Sequence, residues 1–327
     1  MKKKLLPLAI AAIMAPGFAA AADVSGFTDI IYTIADDSSK QAAPLKNTSE
    51  GKFNANAEVD FSASPADGVT VRVDLDLGLP ALNTKPGGGA ADSGDVEQAF
   101  FAWGVTEGVT VIGGVFNNPI GYEAEDAPDM DFTSHGSVYN VLDGQTALTG
   151  DNVAGLAVAG AVGPTTVTVA LLNDIGETNE ENSMALVVNY SPMSGLDLEL
   201  GMVTQADQAK NAGSAEDVTN FNVLYAPAQV AGLTVGLDYL TAGKIVDSAY
   251  DIWVGYDFGN GLGAKFRASD IDYTTASGAA DTDATSIYLS YQAASNLSAA
   301  IEFRTDSVAT PGVADTDTTL LELIATF

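Results

Sequence analysis

The sequence of 327 residues contains no cysteine, a single histidine, two tryptophans and three arginines. Without cysteine there is no disulfide and no thiolate metal cluster, so an exported fold would rest on packing or strand pairing alone. The lone histidine, His135, stands beside Ser134. Sequence neighbours seldom reach the geometry that a nucleophile and its base require, so a histidine-dependent hydrolase is disfavoured and no catalytic residue is expected. A glycine-rich phosphate loop is missing too. Beyond the N-terminal segment no run of about 18 apolar residues occurs, which excludes helical membrane spans. Basic residues are scarce, 13 against 43 acidic, for a net charge of −30. That balance argues against a nucleic-acid partner, since phosphate binding needs a basic footprint. It makes cations the natural small partners.

What is present begins with a targeting segment. Met1-Lys2-Lys3-Lys4 is a basic start, Leu5 to Phe18 is a short apolar stretch, and Ala20-Ala21-Ala22 offers a small-residue cleavage site. Residues 1–22 therefore read as a secretory signal peptide and 23–327 as the mature domain. Removing Lys2, Lys3 and Lys4 leaves ten basic residues and a net charge of −33. Yet the mean hydropathy is +0.15. A barrel with an apolar skin and a polar lumen combines strong acidity with that hydropathy.

The patterning supports this. In 52–63 the residues Phe53, Ala55, Ala57, Val59, Phe61 and Ala63 alternate with Lys52, Asn54, Asn56, Glu58, Asp60 and Ser62. Period-two alternation predicts strands at 24–34, 52–63, 69–79, 95–104, 109–116, 152–162, 165–173, 183–190, 196–205, 218–225, 233–241, 249–258, 262–271, 284–293, 297–305 and 318–327. Short connections carrying Pro and Gly alternate with long ones rich in Asp, Ser, Thr and Gly. That alternation predicts an all-β fold: an antiparallel up-and-down transmembrane β-barrel of about sixteen strands, with turns on one side and external loops on the other. A soluble sandwich gives no reason for every second connection to be long. Aromatics near alternate strand ends, among them Phe61, Tyr190, Tyr256, Tyr291 and Phe327, fit an interfacial girdle. Three strands fit poorly: 95–104, 152–162 and 318–327.

The polar strand faces would line the lumen. They place Glu58, Asp60, Asp74 and Asp76 as pore-lining acids, with Arg72, Lys265 and Arg267 as the basic side. The third external loop, 117–151, has 35 residues, at least twice the length of any other. Structureless loops of that length usually carry function. It holds Glu123, Glu125, Asp126, Asp129 and Asp131 and no Lys or Arg. These five are expected to narrow the pore and favour cations. Apolar residues in the same loop imply that part of it packs. The repeats at 281–285 (DTDAT) and 315–319 (DTDTT) lack the glycine and terminal Glu of a calcium loop, so no metal site or cofactor is expected.

With these residues in view, the chain resembles bacterial outer-membrane porins over 23–327. Gly114, Phe116, Pro119, Gly121 and Glu123 are similar to a stretch of OmpL-like β-barrel porins. The final strand ending at Phe327 looks like the signature read by the outer-membrane assembly machinery. The resemblance implies an outer-membrane location, contact with membrane lipid, passive diffusion of small cations and hydrophilic solutes, and often a homotrimer. The "PEFGG"-type stretch of enteric porins is absent from the third loop, so eyelet residues do not carry over one by one. Two alternatives stay open: a non-conducting barrel serving as an anchor or adhesion surface, and an outer-membrane hydrolase using His135.

Overall fold

The computed structural model describes residues 22–37, 51–77, 95–146, 148, 150–173, 181–207, 210 and 215–327. The expected signal peptide lies outside the described residues except for Ala22, as do most of loops 35–51 and 80–94. The strands are β1 (Asp23–Asp37), β2 (Lys52–Ala66), β3 (Val69–Asp76), β4 (Asp95–Thr106), β5 (Val109–Asn117), β6 (Asn152–Val162), β7 (Thr165–Asn173) and β8 (Asn182–Met193). They continue with β9 (Leu196–Thr204), β10 (Val218–Tyr225), β11 (Leu233–Thr241), β12 (Val246–Asp257), β13 (Leu262–Tyr273), β14 (Thr282–Ala294), β15 (Leu297–Val308) and β16 (Thr316–Thr326). Each pairs antiparallel with its sequence neighbours, and β1 closes on β16 from Phe27↔Thr326 to Asp37↔Thr316. Closure removes the sheet edges that an apolar medium could not satisfy.

The two-residue turns Asp67-Gly68 and Glu107-Gly108 end on glycines at φ of +70° and +80°, where a side chain would be strained. These tight connections fix the strand registers. With register fixed, alternation turns Val71, Phe101, Leu171, Phe221, Leu289 and Phe303 outward and exposed. Such an apolar skin around a closed barrel is a lipid-facing surface. Phe61, Tyr190, Tyr256, Phe258, Tyr291 and Phe327 are exposed near the short-turn rim.

Strand β4 shows why one stretch fitted alternation poorly. Asp74 pairs with Gln98 but Leu75 pairs with Val96, so Glu97 is an extra residue in a β-bulge. Both Glu97 and Gln98 are buried on the lumen side, while Val96 stays exposed. The bulge resets the phase, which a strict period of two cannot follow.

The inner wall is not polar throughout. Inward residues Ala102, Ile112, Ala157, Ala170, Val187 and Leu240 form an apolar patch running along β4 to β11. Loop 118–151 covers it with Ile120, Val138, Val141 and Leu142, the last three from a short helix, α1 (Ser137–Asp143). The expected structureless loop thus contains one helical element, packed against β11, β12 and β13. Burying each such large apolar side chain contributes roughly 1.5–3 kcal/mol, enough to hold the loop inside the barrel.

Candidate functional site

Loop 118–151 leaves β5 and returns to β6 through a closed neck. Asn118 Nδ2 donates to Asp151 Oδ1 at 2.9 Å, and its backbone N–H donates to Asp151 O at 2.7 Å. The chain then drops into the lumen. Ile120 seats over Gly201 of β9 so closely that a Cβ there would lie 2.4 Å from Ile120 Cγ2. Tyr122 rests its ring 4.6 Å from that of Trp253, its N–H donates to Asp238 (3.0 Å), and its hydroxyl donates to Asp131 (2.7 Å).

The far end of the loop is pinned to β13, β15 and β16. Lys265 pairs with the Asp131 carboxylate and donates to its backbone oxygen at 2.8 Å. Thr133 donates to Glu322 (2.8 Å), and Ser134 donates to Glu302 from both its N–H (2.9 Å) and its hydroxyl (2.5 Å). Arg267 donates to the Ser134 carbonyl at 2.7 Å and Arg304 to that of His135 at 3.0 Å. Arg267 also stacks 4.4 Å from the Phe132 ring centroid. Asp251 of β12 accepts the first free N–H groups of α1, from Ser137 (3.0 Å) and Val138 (2.8 Å). That side chain thereby caps the helix from another strand.

Within the loop, Glu123 accepts from His135 Nδ1 (2.9 Å) and from the Gly136 N–H (2.9 Å), and lies 3.6 Å from Arg267. Since a carboxylate only accepts, the His135 Nδ1 carries the proton. Burial raises the Glu123 pKa. The His135 hydrogen bond and the Arg267 charge outweigh it and hold the group below its ordinary range. His135 is stacked on Tyr139 at 3.8 Å, so the chain's one imidazole is a fastener of the loop. Ser134, its sequence neighbour, bonds to Glu302, and among the described residues the His135 ring bonds to Glu123 and to no serine.

The remaining loop acids face the opposite wall. Asp126 approaches Glu58 of β2 and Glu97 of β4, with one oxygen from each within 4.8 Å of the others. Burial, then the Glu97 charge, pushes Asp126 up to about 7 and Glu125 up to about 10. Asp129 belongs to the turn here, its N–H donating to Asp126 O at 2.8 Å. On the wall, Arg72 of β3 donates through Nε to Asp74 (2.6 Å), lies 3.4 Å from Asp60 and 4.0 Å from Glu58. Asp76 pairs across to Glu58 in the β2–β3 ladder.

Apart from Asp129, which sits in the loop's own turn, the expected site residues fall into two groups. Glu123, Asp131, Lys265 and Arg267 hold the loop to one wall. Glu58, Asp60, Arg72, Asp74, Asp76, Glu125 and Asp126 meet at the other. Lys265 and Arg267 contact the loop directly, so they anchor it and do not face it across open space. Pattern reading overlooked Glu97, hidden by the bulge, and the anchoring role of Glu322, whereas alternation does put Glu302 on the lumen face. A charge inside an otherwise apolar final strand was the available signal for Glu322. On the short-turn side of the loop a recess of about 530 Å³ is bounded by Tyr122, Asp131, Trp253 and Lys265. A second, of about 180 Å³, is bounded by Tyr122, Thr168, Asn189 and Glu199.

Comparison with known proteins follows the fold. The profile of the family described as "Putative beta-barrel porin-2, OmpL-like" matches residues 22–326. No curated protein matches the chain. Among solved structures, Salmonella typhi OmpF in complex with daunomycin superposes with a TM-score of 0.70 at 12% identity, covering 95% of this chain and 100% of that one. Pseudomonas putida OprB gives 0.68 at 10% identity over 94% of each chain. A mutant of Rh. blastica porin gives 0.62 at 16% identity over 94% of this chain and 100% of that one. At such identities these likenesses speak for the barrel alone.

Proposed function

The chain belongs to the OmpL-like β-barrel porin-2 family of outer-membrane barrels, and from that premise we propose that it is a water-filled, cation-preferring diffusion channel. Small cations and hydrophilic solutes are its cargo, and loop 118–151 sets their size limit. Supporting this most directly is the placement of Glu58, Asp60, Asp74, Asp76 and Glu97 on one wall, facing Glu125 and Asp126 of the loop, with Arg72 already engaged by Asp60 and Asp74. Carboxylates gathered along a confined passage attract cations by charge at short range. The recesses on the short-turn side would give solutes a vestibule.

Two features of the proposal concern partners. The exposed Phe327, whose backbone pairs with Gly26, offers the terminal aromatic that assembly machinery would read. A homotrimer would bury part of the outer face. The deciding experiment is the reversal potential of the refolded barrel in a planar bilayer under a KCl gradient. Large conductance steps with a cation-selective reversal are expected. Insertion without conductance would replace this reading with that of an anchoring barrel closed by its loop.

A further inference from the structure

One group of side chains is not accounted for by holding the loop. Glu58 (β2), Glu97 (β4) and Asp126 (loop) bring three carboxylates together, one oxygen of each within 4.8 Å of the others. Glu125 lies beside Glu97 as well. Carboxylates this close repel one another unless protons or a cation stand between them. The nearby guanidinium of Arg72 is turned to Asp74 at 2.6 Å and stands 4.0 Å from Glu58.

A separate feature of the same place points to a ligand. Glu97 is 7% exposed. Its Oε1 accepts from Gln98 Nε2 (3.3 Å) and Asn152 Nδ2 (3.1 Å), but its Oε2 accepts from no amide or hydroxyl and has only the Glu125 carboxyl beside it. Gln98 is 1% exposed, its amide lies against Glu97, and its Oε1 accepts no hydrogen bond. Leaving a buried acceptor unmatched is costly, and more so for a charged one. The bulge at Glu97 is what sends both side chains to the lumen. Bulges of this kind re-aim side chains next to functional sites.

A hard divalent cation meets these needs together. Calcium takes oxygen ligands at about 2.3–2.6 Å in flexible geometry, so ligands on opposite sides of the ion stand up to about 5 Å apart. Carboxylates and amide oxygens are its ordinary partners. Magnesium demands a tighter octahedron at about 2.0–2.1 Å and keeps its waters. We propose that Glu58, Glu97 and Asp126 form a calcium site that ties loop 118–151 to the barrel wall. The proposal uses the position of the loop and does not depend on whether the barrel conducts.

The test is calorimetric titration of CaCl₂ into the chelator-treated, refolded barrel in detergent, at neutral pH and low salt. One ion per barrel is expected, with a Kd on the order of 10⁻⁴ M and weaker binding of MgCl₂. Glu97→Gln and Asp126→Asn should each weaken calcium binding by about tenfold or more. Asp67→Asn, in an exposed turn, should leave it unchanged. Heat-modifiable gel mobility checks that each variant has folded, and Asp126→Asn carries the test if the strand variant does not. Absence of saturable binding by the parent barrel, or equal binding by the folded Asp126→Asn barrel, would mean that these carboxyls share protons and would overturn the site. Equal affinity for magnesium would overturn the assignment to calcium. Bilayer recordings separate this from the channel reading: calcium binding without cation selectivity would remove that reading and leave the site standing.

Discussion

Glu123 and Asp126 lie three residues apart on one loop, yet their surroundings push them in opposite directions. Both are desolvated. Glu123 has the His135 ring, the Gly136 N–H and Arg267 to favour its anion, whereas Asp126 has Glu97 as its next strongest influence. A depressed carboxyl contributes stability above its unfolded pKa, and that contribution is lost as pH falls through the folded value. Glu123→Gln should therefore weaken the folded loop at neutral pH by about 1.5–3 kcal/mol, the worth of hydrogen bonds to a charge. The deficit should shrink as the medium is acidified. Melting curves read by heat-modifiable mobility across pH would show this, and a deficit independent of pH would refute it. For Asp126 the sign reverses. Its folded pKa of about 7 exceeds the ordinary aspartate value of 3.8, so the penalty builds as pH rises between those values and is complete above about 7. With a chelator present, Asp126→Asn should stabilise the barrel at pH 8 more than at pH 4. An equal gain at both would place the effect in packing. Only the residue types of these two acids were legible in the sequence. Their opposite environments depend on partners on β4 and β13 far away along the chain.

At the level of elements, loop 118–151 behaves as a folded insert and its helix α1 as the main apolar contact with the wall. Leu142 is 1% exposed and Val138 fully buried. Leu142→Ala should cost about 2–5 kcal/mol, felt locally because the strands close without the helix. Hydrogen exchange should then quicken over 137–144 while the β12 and β13 amides stay protected. Uniform loss of protection would show that the barrel needs the helix to fold. Deleting 123–131 removes the acidic arm and the Asp131 anchor, and should enlarge single-channel conductance and weaken cation preference. Unchanged values would remove the loop from the passage. The strands were legible because lipid on one side and water on the other impose strict alternation, and the loop because of its length and acidity. Helix α1 was not. Its seven residues carry no side-chain N-cap, and the capping carboxylate of Asp251 arrives from another strand. The apolar inner wall escaped notice for a related reason. Small residues such as Ala157 and Ala170 look neutral in the sequence, and their role emerges once they pack in one cluster with Ile120 and Leu142.

At the scale of the whole molecule, the proposed cation preference has two candidate sources, the total charge and a few carboxylates in the lumen. The full sequence carries −30, and its long connections are rich in acid. Such external charge acts over a distance set by salt, with a Debye length of about 10 Å at 0.1 M and about 3 Å at 1 M. A preference produced by the loops would collapse between those concentrations. Carboxylates within the lumen act at contact distance. An ion passing the half-buried Asp60 and Asp76 meets them with little intervening electrolyte, and buried pairs are screened far less. The geometry therefore predicts that the permeability ratio for K⁺ over Cl⁻ falls as KCl rises from about 0.1 to 1 M but stays above unity. It further predicts that Asp60→Asn with Asp76→Asn lowers the residual ratio at high salt, and that neutralising the exposed loop residues Asp281 and Asp315 lowers only the low-salt value. The reverse pattern, with the loop substitutions abolishing selectivity and the lumen substitutions inert, would place the selecting field outside the barrel and leave loop 118–151 as a size limit alone.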